Sequence, residues 1–363
     1  TVDAGCVLQT IQDAADTVDR LFPLSLASQG SCQIGGNLSA NAGGTGALSY
    51  GVARDLVVGL EVVLPNGDIL NDLSKLKKDN TGYALRHLFI GAEGTLGIIT
   101  GATLKLFAKP KGYGSVFANV ASVEAALTLL QSATDRLGPG LTTFELMADI
   151  AVDFADRHME GAFWPSEDRT GWTVFMEYSS LVSDADANQK IEAVFEDAFA
   201  KGLISDGAMA QNAKQRQALW ALRESLSEAQ GFEGHSIKHD ISVPVSSIPA
   251  FVAQAEKDVH ALSLDARICA FGHMGDGNLH YNISQPEDGD ADAFKALAPA
   301  ITQAVHQRVI SFGGSTSAEH GIGQMKRDEL AATKDPVALS LMRGIKRELD
   351  PANIMNPGKV IIP

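Results

Sequence analysis

Four residues towards the C-terminal end could together hold a metal ion and move a proton: His273, His280, Glu319 and His320. The first two lie in Gly272-His273-Met274-Gly275-Asp276-Gly277-Asn278-Leu279-His280-Tyr281-Asn282. Histidines at this spacing would share a helix face, but Gly275-Asp276-Gly277-Asn278 reads as a turn and cannot sustain a helix. The two imidazoles must then converge across a loop that leads into a strand, where His280 and Asn282 point to one face. Glu319 and His320 stand in Ser315-Thr316-Ser317-Ala318-Glu319-His320-Gly321-Ile322-Gly323, among glycines and hydroxyls. Two neutral imidazoles and one carboxylate make a catalytic Zn²⁺ set with positions left for substrate; non-haem Fe²⁺ takes the same ligand types. A tight hairpin with two incidental histidines, and a helix start with a surface Glu-His pair, are the plainer alternatives.

Two further stretches carry chemistry. Gly35-Gly36-Asn37-Leu38-Ser39-Ala40-Asn41-Ala42-Gly43-Gly44 has small residues at nearly every position. Backbone N–H groups can there approach a ligand and form an anion-binding nest for a pyrophosphate. The run is not G-x-G-x-x-G and no clean strand precedes it, which argues against an NAD-type Rossmann site. A Gly/Asn-rich surface loop is the alternative. In Trp220-Ala221-Leu222-Arg223-Glu224-Ser225-Leu226-Ser227, Arg223 and Ser227 fall on one helix face. Lys238 follows on an expected strand, Ile237–Val243. Two cations and a hydroxyl near one pocket suit a dicarboxylate, with Arg223 gripping bidentately and Lys238 as a point charge. A solvated Arg and Lys on outer faces would look the same in the sequence.

The elements that must position these groups fall into two textures. Up to residue 109 the chain is rich in Gly and β-branched residues, with strand-like runs at Val57–Leu64 and Gly97–Phe107 and a turn at Pro65-Asn66-Gly67-Asp68 leading to a return strand at Ile69. Lys109-Pro110-Lys111-Gly112 breaks the pattern. Beyond it, strands at Ser115–Val120, Thr142–Met147, Trp172–Tyr178 and Leu203–Met209 alternate with helices from Val123 and over Asp186–Lys201. Two β-α-β units in succession predict an α+β layer. Helices are expected over Ala213–Ala229 and Pro336–Leu349.

Composition narrows the classes. A formal charge of −15 opposes nucleic-acid binding, and an anionic substrate must be drawn in by a local cluster of cations. No apolar stretch approaches the roughly 20 residues that cross a bilayer. Cys6, Cys32 and Cys269 are few, odd in number and scattered, which argues for a reducing compartment and against a disulfide framework or thiolate zinc site. Any targeting peptide would stand ahead of Thr1, so both a bacterial cytoplasm and a mitochondrial matrix fit.

The run Ser31–Gly46 resembles the C-terminal half of the FAD domain of the vanillyl-alcohol-oxidase-like (PCMH-type) flavoproteins, and Gly91-Ala92-Glu93-Gly94-Thr95-Leu96-Gly97-Ile98-Ile99-Thr100 resembles a second signature of that domain. The resemblance implies that Gly36, Asn37, Ser39, Asn41, Gly43 and Gly44 line the flavin and pyrophosphate. It implies that backbone near Gly97, Ile98 and Ile99 meets the adenine side, and that Asn356, in Asn356-Pro357-Gly358-Lys359, returns the C-terminus to the flavin. It further implies a domain order of 1–110 as the C-terminal portion of the FAD domain, 111–320 as a ferredoxin-like α+β cap with the metal site, and 321–363 as a helical segment. The N-terminal part of the FAD domain would then lie outside this chain.

The His and Glu runs resemble the metal site of FAD-linked D-2-hydroxy acid dehydrogenases. This implies that His273, His280 and Glu319 bind a divalent metal such as zinc, that Asn282 contacts substrate and that His320 is the base. Arg223, Ser227 and Lys238 resemble the residues that hold the carboxylates of 2-hydroxyglutarate, although Ser227 stands where that pattern favours Thr. The chemistry is coherent. An alcohol has a pKa of about 16 against about 6.5 for an imidazole, a gap that costs about 12 kcal/mol. A zinc ion that lowers ligated water to about 7 closes that gap, and a flavin N5 accepts the hydride. The implied electron acceptor is an electron-transferring flavoprotein or a quinone-linked carrier; a homodimer stays open. The alternatives are a dehydrogenase of D-lactate, glycolate or D-malate, a flavin-free metallohydrolase, and a flavin-less fragment that binds metal.

Overall fold

The computed structural model describes residues 1–162, 164–167, 169 and 171–362. They form two compact units, Thr1–Lys109 with Glu319–Pro363, and Pro110–Ala318. The chain first crosses at the Lys109-Pro110 breakers. It crosses back between Ala318 and Glu319, two residues ahead of the division expected after 320, and the described residues from 319 on fold with the N-terminal unit.

In the first unit the strands are β1 (Val2–Asp3), β2 (Arg20–Leu21), β3 (Val57–Val63), β4 (Ile69–Asp72), β5 (Ile98–Leu104) and β6 (Phe107–Ala108). An antiparallel sheet runs β1-β5-β3-β4, and β2 pairs with β6. The β3–β4 hairpin closes where the sequence predicts a turn: Gly67 takes φ +87°, and Asn66 accepts the N–H of Asp68 at 3.0 Å. Leu60, Val62 and Ala102 meet Leu8, Ile34 and Leu38 in the core. Helix Pro336–Leu349 starts on an Asp335 cap and ends on a buried ion pair, in which Lys346 reaches Asp350 and also donates to the Thr95 and Met355 carbonyls at 2.8 and 2.9 Å.

The second unit contains β7 (Gly112–Val120), β8 (Leu141–Ala148), β9 (Trp172–Ser180), β10 (Ile204–Met209), β11 (Ser236–Ile237), β12 (Asp240–Ser242), β13 (Arg267–His273) and β14 (Asn278–Ser284). All pair antiparallel in the order β10-β7-β9-β8-β13-β14-β11, with β12 also on β14. The first four strands and helices Val123–Leu137 and Asp184–Ala200 give the expected β-α-β, β-α-β arrangement, in the fourth-first-third-second order of a ferredoxin-like sheet. Ser122, Ser183 and Asn212 each cap a helix by accepting an N–H in its first turn.

Both faces of this sheet are covered, so β7 to β9 are buried at nearly every position. Phe117, Met147, Phe175 and Phe271 point to one face, where helices Asp149–His158 and Ala213–Ala229 pack through Val152, Phe154, Leu219, Leu222 and Leu226. Alternation sends Glu145 and Glu177 to that same face. A charge there must be paired, and helix Ala213–Ala229 supplies the partners: Arg216 Nε and Nη2 donate to Glu177 at 2.6 and 2.7 Å, and Arg223 Nε donates to Glu145 at 2.7 Å.

One expected element is interrupted. Ile237–Val243 is not a continuous strand; Lys238 and His239 separate β11 from β12. The register on β14 is the same on both sides of the gap. In the gap, the His239 N–H donates to the Asn282 side-chain oxygen at 3.1 Å and the His239 ring bonds the Tyr281 carbonyl at 2.8 Å. Side chains thus replace the ladder bonds, and Lys238 lies exposed in a link rather than on a strand.

Candidate active site

Within the cap, the register of three strands assembles a patch of polar side chains. His273 pairs with Glu145 and Phe271 with Met147 across β13–β8, while Phe271 pairs with His280 across β13–β14 and His280 with Asp240 across β14–β12. Residues directly opposite share a face, so Glu145, His273, His280 and Asp240 all stand on the side covered by Ala213–Ala229. The rings of His273 and His280 have centroids 6.2 Å apart, and the two offer ligand atoms within 4.8 Å of each other, as do Asp240 and His280. The turn between them is tight: Gly277 takes φ +88°, and its N–H and that of Asp276 both donate to the His273 carbonyl.

Glu145 decides which ring nitrogen His273 presents. Its side chain is 1% exposed and accepts from His273 Nδ1 at 2.6 Å. Burial alone would raise this carboxyl, but the Arg223 guanidinium and His273 outweigh it and hold the pKa at about 2. A carboxylate only accepts, so a proton sits on Nδ1, and in the neutral ring Nε2 carries the lone pair, the arrangement found behind metal-binding imidazoles. The donor set therefore fits a divalent cation. Asn278 adds a buried side-chain oxygen without a partner among the described residues, while its amide N–H groups go to Asp240 at 3.0 Å and the Ile241 carbonyl at 2.9 Å.

Because the carboxyl of Glu145 is depressed in the fold, it contributes stability that is fully present above about pH 4.5 and lost as pH falls towards 2. The contribution is on the order of 3 kcal/mol. Acid titration followed by thermal melting should show the wild type losing stability across that window. Glu145→Gln should start lower and lack this component; parallel curves for the two proteins would refute the assignment.

The expected substrate residues are distributed unevenly. Arg223 is buried and directs Nε and Nη2 at Glu145, whereas Ser227 on the same helix is exposed. Asn282 shares the His280 face but is 3% exposed, and its side chain is tied to Gln230 at 2.9 Å and to the His239 N–H. From β12 the chain continues towards Glu319 in a definite way. Ser242 and Ser315 form a two-way backbone bridge, the Ala318 N–H donates to the Asp240 carbonyl at 3.3 Å, and Glu319 is the next residue.

Within the N-terminal unit, the first part of the glycine-rich run is not a loop. Ile34–Ala40 is a short helix, because Ile34 and Leu38 bury one side of it, and it ends at Asn41 with φ +54°. Gly36, Ser39, Gly97, Ile98 and Ile99 line one cavity of about 250 Å³ with Gly35, Gly94 and Gln33. Open space lies where a Cβ of Gly36 would point, and the buried Asn37 side-chain oxygen has no partner among the described residues. Open space at Gly36 and Gly94, with an orphaned acceptor on the residue after Gly36, fits part of a nucleotide cofactor. Other expected flavin residues do different work. Asn41 accepts the Arg54 N–H at 2.9 Å, a Cβ on Gly44 would meet the Ser25 carbonyl at 2.1 Å, and one on Gly43 would meet Glu319 Oε1 at 2.5 Å. Asn356 donates to the Glu93 carbonyl at 2.6 Å.

Comparison with known proteins fits both halves. A family model described as the C-terminal domain of FAD linked oxidases matches residues 109–360, and one described as an FAD binding domain matches residues 1–72. The chain belongs to the FAD-linked oxidases. Among this family it is 38% identical over 362 residues to the mitochondrial D-2-hydroxyglutarate dehydrogenase of Danio rerio, covering 99% of this chain and 66% of that protein. It is 37% identical over 359 residues to the mitochondrial enzyme of the same name from Arabidopsis thaliana, with 99% and 63% covered. The D-2-hydroxyglutarate dehydrogenase of Xanthomonas citri is 37% identical over 360 residues, with 99% and 75% covered. The chain thus spans 63 to 66% of the length of the two mitochondrial relatives. Solved structures of p-cresol methylhydroxylase (TM-score 0.70, 18% identity, 99% of this chain and 74% of that one) and alkyldihydroxyacetonephosphate synthase (TM-score 0.68, 18% identity, 98% and 63%) share the fold. FAD-linked oxidases of this vanillyl-alcohol-oxidase-like type join an FAD-binding domain to a separate α+β cap and a helical C-terminal region, and this chain has that architecture.

Glu145 and Asp240 were missed by sequence reasoning. Glu145 did leave a signal, a single carboxylate inside the apolar run Leu141–Ala148. Asp240 left none, since its place beside His280 depends on strand pairing.

Proposed function

We propose that this FAD-linked oxidase is a dehydrogenase that converts D-2-hydroxyglutarate to 2-oxoglutarate, using FAD and a divalent metal, zinc by ligand type. The observation that carries the reading is the buried Glu145–His273 pair, which readies an imidazole Nε2 beside His280 in a protein whose relatives are named for this reaction.

His273, His280 and Glu319 would hold the metal, two imidazoles and one carboxylate. A bound metal supplies the positive charge that acidifies a coordinated hydroxyl. His320, adjacent to Glu319 and exposed, takes the proton from O2 of the substrate. Bound FAD supplies the acceptor, at N5, for the hydride from C2, which no side chain provides. Arg223 commits Nε and Nη2 to Glu145 and turns the rest of its fork to a substrate carboxylate. Asn282 donates one side-chain N–H to Gln230 and has a second for the substrate. Ser227 and Lys238 serve the far carboxylate. Electrons pass onward to an electron-transferring flavoprotein or a quinone-linked carrier.

The exposure of Lys238 favours a second reading, a D-lactate, glycolate or D-malate dehydrogenase. One experiment decides between them. Lys238→Ala should lower kcat/KM for D-2-hydroxyglutarate by about 10- to 100-fold, the worth of one hydrogen bond to a charged group, and leave D-lactate nearly unchanged. Equal losses on both acids, or faster turnover of D-lactate by the wild type, would overturn the dicarboxylate reading.

A further inference from the structure

Glu93 lies outside every role assigned so far, yet all its polar groups are used. Its carboxylate accepts the N–H of Ile322 at 2.7 Å through Oε1 and that of Gly323 at 2.8 Å through Oε2. Its own N–H donates to the Ser39 carbonyl at 2.8 Å, and its carbonyl accepts from Asn356 Nδ2. Ser39 and the next residue, Gly94, both line the glycine-walled cavity. Ile322 and Gly323 are the second and third residues after His320.

The backbone around these contacts is shaped to permit them. Glu93 itself takes φ +52°, a region that costs a non-glycine residue, and Gly321 takes φ +76°. A Cβ on Gly321 would stand 2.6 Å from Glu93 Oε1, so only glycine lets the carboxylate close on the loop. A strained residue that joins three separate segments is over-determined by its surroundings, and such strain is commonly kept for function.

We infer that Glu93 is a positioning residue: its carboxylate clamps the loop that carries His320 and fixes it to the wall of the cofactor cavity. This rests on His320 being the base. The contact acts through backbone N–H groups, so its loss should leave the cavity residues in place and release the loop.

The test uses the flavin-loaded protein and two variants. Glu93→Gly relieves the left-handed backbone and deletes the clamp, while Glu93→Gln keeps one acceptor oxygen. Amide exchange is read over residues 319–325, together with flavin content, kcat and KM. In Glu93→Gly, exchange of the Ile322 and Gly323 amides should rise and kcat should fall, each by about 10- to 100-fold, with flavin content and KM little changed. Glu93→Gln should fall between. Unaltered exchange, or a kcat that declines only in proportion to lost flavin, would overturn the inference. If His320→Ala leaves turnover intact while the exchange result holds, the assignment of the base has failed and with it the catalytic meaning of the clamp. Persistence of the kcat loss without any change in exchange would refute the clamp alone.

Discussion

His320→Ala is expected to lower kcat by about 10²- to 10⁴-fold while the metal remains bound. The size follows from the chemistry: a side chain that removes the hydroxyl proton in the transition state contributes a general-base term and no uniform binding. KM should therefore move little. His320 is exposed and adjoins Glu319, so its removal opens no buried cavity and the fold should hold. Metal analysis beside steady-state kinetics checks the result. A variant with normal turnover would show that another group takes the proton, and one that loses its metal would make His320 a ligand instead.

A comparable loss, of at least about 10³-fold, is expected for Glu319→Gln, since charge stabilisation by the metal is worth several kcal/mol. This substitution separates the carboxylate's charge from its shape. Glu319 Oε1 stands 2.5 Å from where a Cβ on Gly43 would be, and the amide of Gln occupies nearly the same volume against that glycine. Flavin content should thus be retained while the metal-to-protein ratio falls. Full activity with normal metal content would remove Glu319 from the ligand set and leave His273 and His280 needing another partner, for which Asp240, paired with His280 across β12–β14, offers a carboxylate.

Much of this could be anticipated from residue order. The turn between His273 and Asn278, the helices over Ala213–Ala229 and Pro336–Leu349 and the two β-α-β units follow from glycine punctuation and apolar periodicity, which act over a few residues. Where the expectation and the structure part, a distant contact intervenes. Ile237–Val243 has strand composition throughout, yet the amide of Asn282, from another strand, captures the His239 N–H and interrupts the ladder. Gly35 and Gly36 are poor helix formers, and the sequence predicts no helix there, but burial of Ile34 and Leu38 against the sheet of the N-terminal unit makes the segment helical.

The candidate site divides in the same way. Its reactive residue types, their grouping into short runs and the cations available for an anionic substrate were determined by the amino-acid sequence alone. Which imidazole nitrogen is presented, and that Arg223 leans on Glu145 before it can reach any ligand, were decided only by tertiary structure. The reason is geometric. Glu145, Arg223 and His273 are far apart along the chain and become neighbours through antiparallel register and one helix laid across the sheet, and a buried charge must take whatever partner that packing provides.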